Sequence, residues 1–380
     1  MINFEYDLGV VGLGYVGLPL AVESANAGLK VIGYDVNPER VHEINNGKSP
    51  IEDISDNELS KASNSFTASD NPSRLSKCHH IVISVPTPLT DYQPDLSYVE
   101  AAAKSVGENL VSNQVIILES TTYPGTTLEV LVPNLEKYSN LKAGSDFFVG
   151  YSPERIDPGN KEWKFKNTPK VISGINEESL EKINSFYKKI IDETVIVKGT
   201  KEAEMVKLLE NTYRHVNIAL INELAMLCKM LEIDIWEVVN AAKTKPFGFQ
   251  SFTPGPGVGG HCIPVDPEYL SFKTRQIGKP VRFVELAQEI NNSMPAYVVS
   301  RVNELLNSQD KILRNSKVLV LGVAYKKDIS DMRESPSLDI LDLLLEKSVE
   351  VSFYDPFVDE LNISGQSIKK ESSSKNFENY

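Results

Sequence analysis

The chain is poor in cysteine, in long apolar runs and in positive charge, and each shortage removes a class of protein. Cys78, Cys228 and Cys262 are the only three cysteines in 380 residues. They show no CxxC pair and no close spacing, which fits neither a disulfide framework nor a zinc site, and no metal is expected. An odd count leaves at least one thiol free. No apolar run approaches the roughly 18 to 20 residues of a membrane span. The opening Met1-Ile2-Asn3-Phe4-Glu5-Tyr6-Asp7 also lacks a basic segment followed by an apolar one. A cytoplasmic protein without a membrane partner is expected. With 39 Lys and Arg against 52 Asp and Glu, the formal net charge is −13, so the summed field repels nucleic acid. A phosphate-bearing ligand needs a local site. No internal repeat of solenoid period is found.

What is present reads as ordinary folded domains, since 41% hydrophobic and 24% charged residues leave no reason for long disorder. The length calls for two or three cores. In the first half, short β-branched runs (Leu8 to Val11, Val31 to Tyr34, Ile81 to Val85, Val115 to Leu118, Phe147 to Val149, Val171 to Ser173) alternate with helical patterns, which predicts a parallel sheet covered by helices. After Thr194 to Val197 the rhythm changes. Met205, Leu208, Leu209, Thr212, Val216 and Ala219 keep a spacing of three and four, so a helical region follows. A loop dense in glycine and proline runs from Phe252 to Pro264, and Lys317 to Gly322 then opens a second strand and helix series with Val349 to Tyr354 as its next strand.

Gly12-Leu13-Gly14-Tyr15-Val16-Gly17 follows the first strand and opens a helix, the context in which a GxGxxG pattern binds a dinucleotide. Glycines let backbone N–H groups reach a pyrophosphate at the helix N-terminus. Asp35 ends the second strand 18 residues past Gly17, where a carboxylate accepts from a ribose diol and repels a 2′-phosphate. NAD is therefore the expected cofactor. Arg40 lies close by in sequence, and Pro86, Thr87, Ser120 and Thr121 stand at the carboxyl ends of later strands, the edge where open α/β sheets bind ligands.

Cys78 and Cys228 sit in apolar surroundings and read as small core residues. Cys262 lies in Gly257-Val258-Gly259-Gly260-His261-Cys262-Ile263-Pro264-Val265-Asp266-Pro267, where backbone amides and a nearby cofactor favour a reactive thiol. This loop resembles the nucleophile loop of the UDP-glucose/GDP-mannose dehydrogenase family. Glu204-Met205-Val206-Lys207-Leu208-Leu209-Glu210-Asn211 is similar to that family's catalytic helix, and Ala324-Tyr325-Lys326 with Asp331-Met332-Arg333-Glu334-Ser335 to its C-terminal signature. The likeness covers nearly all of residues 7 to 356. It implies an α/β protein with a Rossmann-type, doubly wound parallel sheet at 1–198 for NAD, a central all-helical dimerisation region at 199–300, and a partial second Rossmann-like, UDP-binding domain at 315–380.

The resemblance also implies a chemistry. The C6 alcohol of a UDP-sugar loses a hydride, Cys262 captures the aldehyde as a thiohemiacetal, a second oxidation makes a thioester, and water releases the acid. Lys207 and Asn211, four apart on one helical face, would stabilise the developing oxyanion. By the same likeness Asp266 activates the water, Thr121 helps orient it, and Glu154 is a general acid/base. Lys326 would lie near the substrate diphosphate and Arg333 on the cofactor. Arg155, Gly257, Gly259 and Tyr325 complete the expected substrate contacts. His261 is left without a role. Family members acting on glucose or mannose read PEFLREG where this chain has Pro153-Glu154-Arg155-Ile156-Asp157-Pro158-Gly159. That pattern, with Arg282-Phe283-Val284-Glu285-Leu286, resembles the branch oxidising UDP-N-acetylhexosamines, particularly UDP-N-acetylglucosamine, for surface polysaccharide synthesis.

Other readings stay open at this level: UDP-glucose or UDP-N-acetylmannosamine as substrate, a two-electron hydroxyacid dehydrogenase of the 6-phosphogluconate type with no use for Cys262, or a binding protein without turnover. The last follows from the tail. Residues 317 to 355 supply strand, helix and strand before a polar segment to Tyr380, so the third domain is expected to be cut short and to lean on the central helices or a partner chain.

Overall fold

The computed structural model describes residues 4–380 apart from 91–92, 157–159, 161, 261–262, 373–376 and 378–379. The chain forms two compact units, one ending at Leu209 and the other beginning at Glu210. In the first unit the order is β1 (Tyr6–Val11), α1 (Gly17–Asn26), β2 (Val31–Tyr34), α2 (Pro38–Asn45), α3 (Asp56–Ala62), β3 (Phe66–Ser69), β4 (Cys78–Ile83), a small hairpin of β5 (Leu89–Thr90) and β6 (Gln93–Pro94), and α4 (Ser97–Gly107). Then come β7 (Val115–Leu118), α5 (Val132–Ser139), β8 (Phe148–Tyr151), β9 (Lys170–Gly174), α6 (Glu177–Tyr187) and β10 (Thr194–Ile196).

Eight strands make one sheet in the order β10-β9-β8-β7-β4-β1-β2-β3. Val31–Tyr34, Val115–Leu118 and Phe148–Tyr151 are buried at every position, as continuous apolar runs must be when helices cover both faces. The six strands from β3 to β8 run parallel, with the reversal of strand order between β1 and β4. Chain order and sheet order therefore part where β1 and β4 end, the position at which open α/β sheets bind their ligands. The sheet is mostly parallel, as expected, and departs from that at one edge: β9 lies antiparallel to β8, with β10 parallel to β9. The segment between β8 and β9 carries no helix among its described residues, so the chain returns without the helical crossover that a parallel partner usually needs.

Helix α7 (Thr200–Met230) leads from the first unit into the second, which continues with α8 (Ile235–Ala242), α9 (Asp266–Gln276), α10 (Arg282–Asn307), β11 (Lys317–Leu321), α11 (Pro336–Glu346), β12 (Glu350–Tyr354), β13 (Asn362–Ile363), β14 (Gln366–Ser367) and β15 (Lys369–Lys370). The polar tail is more ordered than its composition suggests. β15 pairs parallel with β12, through Ser352 with Lys369 and Phe353 with Lys370, and makes a three-stranded sheet β11-β12-β15. Val299 of α10 joins Val323, Leu341, Leu344, Phe353 and Ile368 in one apolar core, so the small sheet shares its interior with a long helix.

Candidate functional site

In the first unit, Gly12 leaves β1 with φ +89, and a Cβ there would stand 2.4 Å from the Ser84 carbonyl oxygen. A Cβ on Gly17 would fall 1.9 Å from the Gly12 oxygen, so this residue must be glycine for α1 to start against the strand. Gly14 differs: a Cβ there meets nothing within 4 Å. Gly14 stands just ahead of α1, whose N-cap residue Val16 supplies no side-chain acceptor. Room for a ligand beside an uncapped helix N-terminus fits a pyrophosphate. Asp35 is buried and braces the turn. Its Oδ2 accepts from the Leu13 N–H at 2.9 Å and from Arg40 Nη1 at 3.1 Å, and its Oδ1 accepts from the Asn37 N–H at 2.9 Å. The carboxylate retains lone pairs for a ribose diol.

Pro86 and Thr87 follow β4, and Ser120 and Thr121 follow β7, on the same sheet edge. The Ser120 hydroxyl accepts from the Val85 N–H at 2.9 Å and donates to the Val85 carbonyl at 2.8 Å, which ties the two strand ends together. Glu204 on α7 is buried, and its carboxylate accepts from the N–H groups of Gly125 and Thr127 at 2.6 and 2.8 Å. That anchors the helix carrying Lys207.

Glu154 is buried after β8. Its Oε1 accepts from the backbone N–H of Arg155 at 2.7 Å and of Ile156 at 2.6 Å, and Oε2 faces Lys170 Nζ at 3.3 Å. Burial acts most strongly and pushes this carboxyl up, but Lys170, the Ile156 amide and Lys207 together outweigh it, so Glu154 lies below the ordinary carboxylate range. Arg155 donates from Nη1 to the Pro169 carbonyl at 2.7 Å.

In the second unit, Asn211 on α7 donates through Nδ2 to the carboxylate of Asp266, which is buried in the first turn of α9. Cys262, four residues before Asp266, lies outside the described residues, as do His261 and the Asp157-Pro158-Gly159 segment. The glycine loop ahead of it is held by a polar chain: the Gly255 N–H donates to Asn222 Oδ1 at 2.9 Å, and Asn222 donates to Asn291 Oδ1 at 3.0 Å. Gly257 abuts Pro336 and the Asn291 carbonyl. A Cβ on Gly259 would stand 2.7 Å from both the Glu334 oxygen and Tyr325 Cβ, and Gly260 lies against the Tyr325 ring while donating to the Arg333 carbonyl at 3.2 Å. Tyr325 thus packs on the loop. The Arg333 guanidinium is drawn to Asp331, and Lys326 is half-buried just beyond Tyr325. Among the described residues, no cluster of His, Cys, Asp or Glu could hold a metal, and no helix is long and apolar enough to cross a membrane.

Several residues of this framework escape a reading by sequence alone. Glu119 and Lys170 look like surface charges until burial is known, and Asn222 and Asn291 lie 69 residues apart. A charged residue at the end of an otherwise apolar strand was the available signal, since such a residue cannot be buried unpaired.

Known proteins sharpen this picture. The NAD-binding domain of the UDP-glucose/GDP-mannose dehydrogenase family matches residues 6–191, its central domain 201–293 and its UDP-binding domain 319–379. A UDP-N-acetyl-D-glucosamine 6-dehydrogenase of Pseudomonas aeruginosa is 42% identical over 357 residues, 93% of this chain and 83% of that protein. A UDP-N-acetyl-D-mannosamine dehydrogenase of Methanococcus maripaludis is 35% identical over 363 residues, 93% of this chain and 81% of that one. The solved structure of a UDP-D-ManNAc dehydrogenase from Pyrococcus horikoshii superposes with a TM-score of 0.87 at 35% identity, covering 93% of this chain and 84% of that chain. The chain belongs to the UDP-glucose/GDP-mannose dehydrogenase family. It is an NAD-dependent nucleotide-sugar dehydrogenase, an oxidoreductase acting on a CH–OH group.

Proposed function

We propose that this enzyme oxidises the C6 alcohol of a UDP-N-acetylhexosamine, foremost UDP-N-acetylglucosamine, to the uronate by a four-electron route through a Cys262 thioester. The observation that carries the reading is the hydrogen bond from Asn211 to the buried Asp266, because it links the helix of Lys207 and Asn211 to a carboxylate four residues past Cys262. A two-electron alcohol dehydrogenase has no use for that arrangement. Support for an acetylated sugar comes from relatives named for N-acetylglucosamine and N-acetylmannosamine and from the Pro153-Glu154-Arg155 segment, with UDP-N-acetylmannosamine as the second candidate.

The glycine turn and the start of α1 would hold the cofactor pyrophosphate, Asp35 its adenosine ribose, and Arg40 would flank it. NAD, when bound, supplies the hydride acceptor for each of the two oxidations. Lys207 and Asn211 polarise the C6 oxygen from adjacent turns of α7, one as a cation and one as an amide donor. The Cys262 sulfur adds to the C6 aldehyde, and the thiohemiacetal so formed becomes a thioester at the second oxidation. Asp266 and Thr121 orient a water towards that carbonyl, Glu154 is in the anionic form that accepts the water proton, and the carbon–sulfur bond then breaks to return the thiolate. Arg155, Tyr325, Lys326 and the glycines at 257 and 259 contact the nucleotide sugar. Arg333 serves the cofactor.

The same proposal includes a cytoplasmic homodimer through the central helices. Tyr213, Leu220, Leu224, Leu227 and Leu231 are exposed at helical spacing along and just beyond α7, a stripe that a partner helix would cover.

The test is a screen of UDP-N-acetylglucosamine, UDP-N-acetylgalactosamine, UDP-N-acetylmannosamine, UDP-glucose and GDP-mannose with NAD, counting NADH per sugar. Two NADH per uronate with an acetylated UDP-sugar is expected. One NADH, or turnover of UDP-glucose alone, rejects the reading. Cys262→Ser should bind NAD unchanged and form no uronate.

A further inference from the structure

Glu154 is one of three buried charges that lie together. Lys170, the first residue of β9, has its ammonium 2.9 Å from Glu119 Oε1 and 3.3 Å from Glu154 Oε2, and the three side chains are 5%, 0% and 11% exposed. The Tyr187 hydroxyl donates to Glu119, and its ring lies under the Lys170 ammonium at 5.5 Å. Buried ion clusters of this kind rarely stabilise a fold better than apolar residues of the same volume, so their presence beside a candidate acid/base group calls for a functional account.

The cluster is lopsided. Both Glu154 oxygens accept hydrogen bonds, two of them from backbone amides, whereas Glu119 Oε2 has no hydrogen-bond partner among the described residues. Burial, the largest influence on all three groups, pushes Glu119 up, and Lys170 does not fully offset it. Lys170 itself is raised because its two carboxylates outweigh its own burial. A proton entering the cluster therefore resides on Glu119, which leaves Lys170 and Glu154 as an ion pair.

We propose that Lys170 and Glu119 are positioning residues for Glu154: Lys170 supplies its countercharge and fixes its orientation, and Glu119, steadied by Tyr187, holds Lys170 in place. This rests on the reading of Glu154 as the proton acceptor in thioester hydrolysis. The charged and titratable groups bearing on Glu154 are Lys170 from β9, Glu119 beyond β7, Tyr187 from α6 and Lys207 from α7.

Opposite substitutions test it on the full chain with NAD and UDP-N-acetylglucosamine. Single-turnover NADH formation and quenched-flow uronate release are followed across pH. In Lys170→Met, NADH formation should hold while uronate release slows roughly tenfold or more, and its acid limb should move to higher pH, because Glu154 has lost its countercharge. Lys170→Arg should restore most of the rate. Glu119→Gln keeps an acceptor for Lys170 and copies the neutral Glu119 against which Glu154 titrates, so its acid limb should stay close to the parent's, whereas Glu119→Leu, which removes that acceptor, should slow uronate release severalfold with NADH formation intact. An acid limb in Lys170→Met that stays in place or moves to lower pH, a Glu119→Leu variant that releases uronate as fast as the parent, or NADH formation and uronate release falling together, overturns the proposal. Should Lys170→Met fail to fold, the contrast between Glu119→Gln and Glu119→Leu decides alone. Glu154→Gln separates the two readings. If it leaves uronate release unchanged, the role of Glu154 is wrong; if it slows release while Lys170→Met does not, only the positioning role is.

Discussion

The turn after β1 and the turn after β11 are built to one plan and diverge in what they present. Gly12 and Gly322 have φ of +89 and +85, and their N–H groups donate to the carbonyls of Tyr34 and Tyr354 at 2.8 and 2.9 Å. The next N–H, of Leu13 or Val323, donates at 2.9 Å to Oδ2 of Asp35 or Asp355. The other carboxylate oxygen accepts from Asn37 at 2.9 Å or Phe357 at 2.8 Å. Each aspartate thus staples the exit of one strand to the end of its neighbour. Beyond the staple the first turn continues Gly14-Tyr15-Val16-Gly17 and enters α1 at once, offering backbone amides. The second continues Ala324-Tyr325-Lys326 and reaches α11 only at Pro336, after passing Asp331 and Arg333. On the proposed reading, one scaffold serves a dinucleotide through bare backbone, and its counterpart offers charged side chains to a nucleotide sugar.

The largest contrast between the two units should appear in acid. His80, stacked on Phe186 at 4.5 Å in the first unit, is pushed down to about 3 by burial, and His215, buried on α7 in the second, to about 4. An unfolded histidine titrates near 6.5. Between that value and the folded one the unfolded chain binds a proton that the folded chain refuses, so stability is full above about pH 6.5 and falls as pH drops, by about 1.4 kcal/mol per unit for each group. The total reaches about 5 kcal/mol for His80 and about 3 kcal/mol for His215. Urea unfolding between pH 7 and 4.5 should show His80→Phe and His215→Phe each flattening the pH slope by close to one proton. A slope unchanged by either substitution would show that histidine to be protonated in the folded protein.

A smaller contrast separates the two glycines. Alanine at Gly322 meets no atom within 4 Å and suffers only the left-handed backbone, about 1 to 2 kcal/mol. Alanine at Gly12 adds the clash with Ser84, a further 1 to 3 kcal/mol or so. Gly12→Ala should weaken NAD binding roughly a hundredfold by calorimetry, whereas Gly322→Ala should leave NAD affinity within about threefold. Equal losses would mean that the turns do not act on separate ligands.

How much of this was legible in the sequence depended on whether the signal was local. The glycine turn, Asp35 and the apolar strands β1, β2, β4 and β7 declare themselves within a few residues, because steric demands on glycine and burial on both faces leave short-range marks. β15 left none: Lys369–Lys370 is a two-residue polar strand, without alternation, that pairs only because β12 offers an edge. The antiparallel return of β9 was hidden for a related reason, since direction is set by a connection with no helical pattern. Glu119 and Lys170 are 51 positions apart, and nothing in either neighbourhood says that two charges neutralise one another indoors. Asp355 was visible, as a Tyr-Asp pair closing a second strand just as Tyr34-Asp35 does, but without the later glycines it carried no known pattern.

The finest distinction between the two staples is an ion pair, which among the described residues only the first possesses. Arg40 reaches Asp35 at 3.1 Å with its side chain 38% exposed, while Asp355 accepts from the backbone N–H groups of Val323 and Phe357. Asp35→Asn keeps an oxygen for Leu13 but loses the charge that accepts from a ribose diol, so NAD affinity should fall by about 1 to 3 kcal/mol, roughly tenfold to a hundredfold, with UDP affinity unchanged. Asp355→Asn should do the reverse and more weakly, lowering UDP affinity about fivefold by loosening the turn that carries Tyr325 and Lys326. Arg40→Ala should cost least. A pair this exposed contributes up to about 1 kcal/mol, so NAD affinity should change by less than about fivefold, and by less still in added salt. Removing the guanidinium also leaves Asp35 alone to face a 2′-phosphate, so discrimination against NADP should rise. A variant that instead accepted NADP more readily than the parent would show that the Arg40 guanidinium gives a 2′-phosphate no help in this corner of the site.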